Sequence, residues 1–410
     1  MSTKKSIFKK YLLSLIITLI WTSFIFIFVN INKKIKFVLI ATCIILIPSI
    51  TIYLMNEGVL FKYVNSKRKL SKKEQSYLNK KIKKITSTCI IIVSLTLYPI
   101  ISIVHCISFK NSTNYGWTKI SYFPVIGDYN TKSLFDPNVI IDNTGTYRMY
   151  VSYRSKKSIA VSTSKDGINW SNLEIALENN EENDWETEVN RCSVIYKDGK
   201  YYMWYTGQCN NISKIGVAIS DDGYKFSKIT EEPILIPEYD YEKDSVMNPY
   251  VMYDQEEQIY KMWYAAGETY EPDVIAYATS KDGISWQKYT ENPIVEKGNN
   301  NDLDMYKVGA CEVYKIKENN YIMFYIGYTD IKTARILFAT SKDGINWKKY
   351  NKEAVISGSK FGFDSEATYK PTAIYDTENQ RWMLWYNGRL VNREYIGLAI
   401  CDKTEFWLNY

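Results

Sequence analysis

A short motif, Ser-x-Asp-Gly-x-x-aromatic, occurs four times at near-constant spacing, and this limits the folds open to the chain more than any other feature. It stands at Ser164–Trp170, Ser220–Phe226, Ser280–Trp286 and Ser341–Trp347, with the aromatic residues 56, 60 and 61 positions apart. A second, aromatic motif occurs five times: YRMYVSY around Tyr150, then Tyr201–Gly207, Tyr260–Gly267, Tyr321–Tyr328 and Trp382–Gly388. Segments this short and this aromatic read as buried strands rather than surface helices. Ahead of each lies another short apolar strand: Val139–Ile141, Val194–Tyr196, Val251–Tyr253, Val313–Lys315 and Ala373–Tyr375. Turn residues such as Lys197-Asp198-Gly199 separate the two. A third strand follows, as in Ile215–Ser220 or Ile396–Cys401, and Asp-Gly then supplies the positive φ that turns the chain into a fourth. Four antiparallel strands per unit, in five units, predict an all-β fold that is a five-bladed β-propeller.

The two ends of the repeat support this count. The fifth unit has almost no chain left for its fourth strand. Far upstream, Gly116–Ile126 resembles the fourth strands at Asn346–Ile356 and Ser285–Val295, with Trp117 in the aromatic position. The first strand of the domain is therefore expected to complete the last blade, which ties the ring shut and removes exposed edges.

Charge divides the chain unevenly. Of a formal net charge of +6, residues 1–108 hold 17 Lys and Arg against 2 Glu, leaving −9 for the other 302 residues. The basic end also holds three apolar runs, in approximate bounds Tyr11–Val29, Phe37–Met55 and Ile85–Phe109. Each is near the roughly 20 residues that a membrane-crossing helix needs. The reading is a three-helix transmembrane region over residues 1–109 ahead of a propeller over 115–410. A basic loop at 61–84 would face the cytoplasm and touch anionic lipid, and the propeller would lie outside, making a multi-pass cell-membrane protein. A basic patch beside apolar runs points to membrane lipid as a partner and away from nucleic acid.

The only histidine is His105, inside an apolar run, so the polar part of the chain has no Ser-His-Asp or Cys-His catalysis and no His-ligated metal. Cys192, Cys209, Cys311 and Cys401 match no zinc spacing, and their pairing is open between disulfides and buried thiols. No metal site or cofactor is expected.

Five blades, aromatic second strands and Phe135-Asp136-Pro137-Asn138-Val139 at the first inner strand resemble the five-bladed glycosidase superfamily, which includes glycoside hydrolase families 43 and 32 (arabinanase, levansucrase and invertase relatives). The resemblance covers roughly residues 115–410. It implies a central pocket ringed by the inner strands, an Asp in blade one as base or nucleophile, an orienting Asp in a later blade and a Glu as acid. Such chemistry needs one protonated and one ionised carboxyl group. Asp136 matches the first role. Asn248 stands where the family has its blade-three Asp, and Gly309 where it has its Glu. Glu188 is the acid candidate and Asp244 a charge partner. Arg191, Asn248 and Lys370 align with Asp136 and, with Glu366, are candidate sugar-binding groups; Arg191 and Lys370 are expected to lower the pKa of Asp136. Glu186, Asp302, Asp304 and Asp364 also stand at blade entrances. The expected function is a glycosidase-like protein processing a poly- or oligosaccharide through paired carboxylates. The alternative is a non-catalytic carbohydrate-binding propeller in cell-surface assembly or sensing.

Overall fold

The computed structural model describes residues 112–407 apart from 122, 129, 130 and 318, together with 76, 77 and 109. The chain divides into two units, Met1–Ile107 and Ser108–Tyr410.

The second unit is a ring of five four-stranded antiparallel blades. Blade 1 runs Leu134–Ile141, Tyr147–Tyr153, Ser158–Ser164 and Glu174–Leu177; the inner strands of blades 2 to 5 are Glu188–Lys197, Ser245–Asp254, Lys307–Lys317 and Ala367–Asp376. Blades 2 and 3 share one sheet through a single parallel pair, Ser245 opposite Ser213. Thr118–Lys119 pairs with Arg393–Cys401 as the fourth strand of blade 5, and Ile126 bridges Ile396 farther along. The ring is closed by the segment that the sequence nominated for it.

Local chemistry explains the repeat. In each Asp-Gly turn the Gly N–H donates to the Ser hydroxyl, which in turn donates to the Asp carboxylate. The same carboxylate accepts the next two backbone N–H groups, as at Ile168 and Asn169. Gly167 has φ +71°, and a Cβ there would stand 2.8 Å from the Trp385 ring, so only glycine fits.

The aromatic of the second strand then crosses to the next blade. Trp385, Tyr150, Trp204 and Trp263 each donate to the turn carbonyl of Gly167, Gly223, Gly283 and Gly344 at 2.8–2.9 Å. Blade 5 lacks an Asp-Gly turn. There blade 4 offers Phe324, which needs no acceptor, packed edge-on against Trp117 at 5.7 Å. A second repeat lies under the blade entrances. Glu186, Glu242, Asp304 and Asp364 each accept a Tyr hydroxyl (Tyr205, Tyr264, Tyr325, Tyr386) and a Lys ammonium (Lys228, Lys288, Lys349, Lys119). Buried carboxylates persist when paired and hydrogen-bonded in this way. Blade 1 carries Val151 where the others have the tyrosine.

One expectation is corrected. Among the described residues no helix is long and apolar enough to cross a membrane. The helical elements described between 112 and 407 are two three-residue turns, Arg154–Lys156 and Asp240–Glu242, far short of the roughly 20 residues a crossing requires. The fold class is all-β, and the expected three-helix transmembrane region, the multi-pass cell-membrane localisation and the lipid partner are not supported. The apolar runs at 11–29, 37–55 and 85–109 that suggested them lie, but for residue 109, outside the described residues. Apolar length and lysine placement measure composition, which does not by itself define a spanning helix. The four cysteines left open are free thiols, with Cys192 and Cys311 pushed up to about 12 by burial.

Candidate active site

The floor of the site comes from one irregularity repeated five times. Each inner strand skips register near its start, between Phe135 and Asn138, Asn190 and Ser193, Met247 and Tyr250, Gly309 and Cys311, and Tyr369 and Thr372. The bulged residues are Asp136, Arg191, Asn248, Ala310 and Lys370, with φ of +51°, +52°, +49°, +23° and +44°. A left-handed non-glycine residue costs of order 1–3 kcal/mol and persists only where its surroundings hold it. For all but Ala310 the preceding blade does so. The backbone N–H groups of Asp136, Arg191 and Asn248 donate to Asn387 Oδ1, Ser152 Oγ and Thr206 Oγ1. Three residues on, those of Val139, Val194, Val251 and Ala373 donate to Thr372, Asn138, Ser193 and Glu312. The bulges fall at equivalent places on the five inner strands, and the side chains of Asp136, Arg191, Asn248 and Ala310 line one cavity.

A cavity of about 470 Å³ opens above this ring, at the N-terminal ends of the inner strands. Asp136 is on its floor, 5% exposed. One carboxylate oxygen, Oδ2, lies 3.1 Å from Arg191 Nε and accepts from Asn248 Nδ2 at 3.3 Å. Burial pushes the Asp136 carboxyl up and outweighs the downward pull of Arg191 and Lys370, while Glu394 adds a further upward push. The expected depression of this pKa is therefore reversed, because desolvation exceeds the charge attraction. Phe135 lies between two guanidinium groups, with Arg154 4.2 Å and Arg191 5.9 Å from its ring centre.

The other candidates divide. Glu188, Arg191 and Asn248 line the cavity with Asp136. The half-buried Glu188 carboxylate has neither a hydrogen bond nor an ion pair among the described residues. Asp244 is exposed and outside the lining. Glu366 is exposed too; it accepts from the Val391 N–H and lies 3.6 Å from Arg389, which does line the wall. Lys370 is fully buried and contributes nothing to the lining. The blade-four place falls on Ala310 rather than Gly309, since the bulge moves the count by one. Glu186, Asp304 and Asp364 are tied into the structural triads, and Asp302 pairs with Lys352.

Glu394 was not anticipated. It is the second residue of the third strand of blade 5, lines the cavity, and accepts from Ser133, from Arg154 through two nitrogens and from Tyr369. Nothing in its local sequence marks it, since it is brought to the site by closure of blade 5 onto blade 1. Glu312 is also absent from this cavity. It faces a second one, about 610 Å³, at the opposite mouth of the central channel, where burial raises its carboxyl to about 7. No group of His, Cys, Asp and Glu able to hold a metal occurs among the described residues.

Comparisons with known proteins bear on the fold that carries this site. The family model of the glycosyl hydrolases family 32 N-terminal domain matches residues 155–306, and that of beta-1,4-mannooligosaccharide phosphorylase matches 243–409. An uncharacterized protein of Mycobacterium tuberculosis is 31% identical over 222 residues, covering 52% of this chain and 70% of its own length. The 1,2-beta-oligomannan phosphorylase of a Thermoanaerobacter species is 26% identical over 160 residues, 36% of this chain, and this chain spans about half (52%) of that protein. Among solved structures, a glycoside hydrolase superposes with a TM-score of 0.58 at 17% identity, over 74% of this chain and 95% of that one. A structure from work on glycoside hydrolases in the GH130 family of mannoside phosphorylases gives 0.54 at 16%, over 70% and 93%. The chain belongs to the family of the mycobacterial protein, within the five-bladed β-propeller glycosidase superfamily.

Proposed function

We propose that the protein cleaves a glycosidic bond of an oligo- or polysaccharide in the central cavity, with Asp136 as the acid. The observation that carries this reading is a buried aspartic acid at the floor of a polar pocket, held in place by Arg191 and Asn248; burial pushes its carboxyl up, in the direction a proton donor needs. Asp136 would donate its proton to the leaving oxygen as the bond to the anomeric carbon breaks. Glu188, with its carboxylate unengaged, is suited to take the proton of an attacking water as the new C–O bond forms. These assignments exchange the roles that the sequence suggested, because Asp136 is the more deeply buried carboxyl and burial favours the protonated form that a proton donor needs. Two matched relatives are named as phosphorylases, so inorganic phosphate is a second attacking group to test.

The carbohydrate-binding alternative draws support from Ala310, which places a methyl group where a carboxylate would complete the ring. One experiment separates the two. The full chain is incubated with a panel of oligosaccharides that includes β-1,2- and β-1,4-linked mannosides, with and without phosphate, beside Asp136→Asn. Reducing sugar or sugar phosphate released by the parent, with a loss of about 10²–10⁴-fold in the variant, supports the enzyme. Retained sugar binding with no product from either protein would favour the binding propeller.

A further inference from the structure

Lys370 is the one member of the bulged ring whose place the proposed chemistry leaves unused. Its side chain is fully buried, and its Nζ has no hydrogen-bond partner among the described residues. It stands on the inner strand of blade 5 between Tyr369, which lines the first cavity, and Ile374, which lines the second, at the bulge equivalent to that of Asp136 in the adjoining blade 1, and its charge favours the ionised forms of both Asp136 and Glu312. A buried, unpaired ammonium is costly, and well-packed proteins do not keep one for packing alone. Arg191 already occupies the Asp136 carboxylate from blade 2, so Lys370 is not needed to hold that group in place.

We infer that Lys370 is a positioning residue, a fixed buried charge near Asp136 that makes its proton easier to release to the leaving oxygen. It is not a sugar ligand. This inference rests on the reading of Asp136 as the acid. The groups around Asp136 are few. Arg191 and Lys370 favour its ionised form, Asn248 hydrogen-bonds it, and Glu394 opposes its ionisation, with Arg154 beside Glu394 and the tyrosines Tyr328 and Tyr369 on the adjoining walls. Removing Lys370 leaves burial and Glu394 opposed only by Arg191 and Asn248, so Asp136 holds its proton to higher pH.

The test is a titration of Asp136 by carboxyl-carbon NMR on the full chain labelled at aspartate, the signal assigned by its loss in Asp136→Asn. Parent, Lys370→Met, Lys370→Gln and Lys370→Arg are compared. The expected result is an upward shift of about one pH unit in the two neutral variants. Lys370→Arg should restore the parent value. Wherever turnover is measurable, the alkaline limb of its pH profile moves by the same amount. If Lys370→Met fails to fold, the Gln and Arg variants carry the comparison. An unmoved Asp136 titration in folded neutral variants overturns the inference, as does lost turnover with no displacement of the limb. If no form turns over any sugar, the reading of function falls, and the titration still decides the role of Lys370.

Discussion

At the scale of single residues, two buried carboxyl groups in the channel have been driven the same way by the same force. Asp136 and Glu312 are both raised chiefly by desolvation, with Lys370 pulling each back. For Glu312 the consequence is thermodynamic. Its folded pKa of about 7 exceeds the model-compound value of 4.5, so the folded state binds the proton more tightly than the unfolded one. The associated stability is present in full below the unfolded pKa and is lost as pH rises through about 7, a change of roughly 3 kcal/mol. Glu312→Gln keeps the oxygen that accepts from the Ala373 N–H and removes the titration. Urea unfolding of the variant should therefore vary less between pH 4.5 and 7.5 than that of the parent. Equal slopes in the two proteins would show that Glu312 does not titrate there. Both groups were visible in the sequence, but their protonation was not, because it depends on burial by strands from other blades.

At the scale of the strand and turn, nearly everything is local and was legible. Ser-x-Asp-Gly marks the turns, and alternating aromatic runs mark the strands, since both depend on neighbours within a few positions. What the sequence did not reveal is that the second-strand aromatic reaches the next blade's turn carbonyl, and that several of the acidic residues at the blade entrances are consumed in Tyr–Lys triads. Glu186, Asp304 and Asp364 therefore look like part of a catalytic rim in one dimension and are structural in three. The Trp385 bond to Gly167 tests the staple. Trp385→Phe removes the only side-chain donor recorded to that carbonyl among the described residues. It should cost about 1–3 kcal/mol, read as a lower midpoint in chemical denaturation. Blade 4 supplies the natural control, for Phe324 occupies the same place where no turn carbonyl is available.

At the scale of the whole propeller, one short strand holds the ring together. Lys119 is buried, donates to Asp364, Ser359 and the Ser357 carbonyl, and so joins the first strand of the domain to blade 5. Lys119→Met leaves the Asp364 carboxylate buried with Tyr386 but without its counter-charge. The expected loss is about 3–5 kcal/mol, seen as a large drop in Tm with unchanged β-structure at low temperature. A drop no larger than that of an exposed lysine, such as Lys200, would mean that closure does not depend on this pair. By itself the sequence determined the repeat, the number of blades, the strand that closes them and Asp136 as a candidate, because strand period, turn chemistry and a displaced copy of the motif are encoded in short windows. The tertiary structure alone decided the members of the site. Five left-handed bulges, 55 to 62 residues apart and all but that of Ala310 clamped by the preceding blade, bring Asp136, Arg191 and Asn248 together, place Lys370 on the inner strand next to them, and are joined by Glu394 from blade 5. Convergence and burial arise only when the ring closes, and a linear chain has neither.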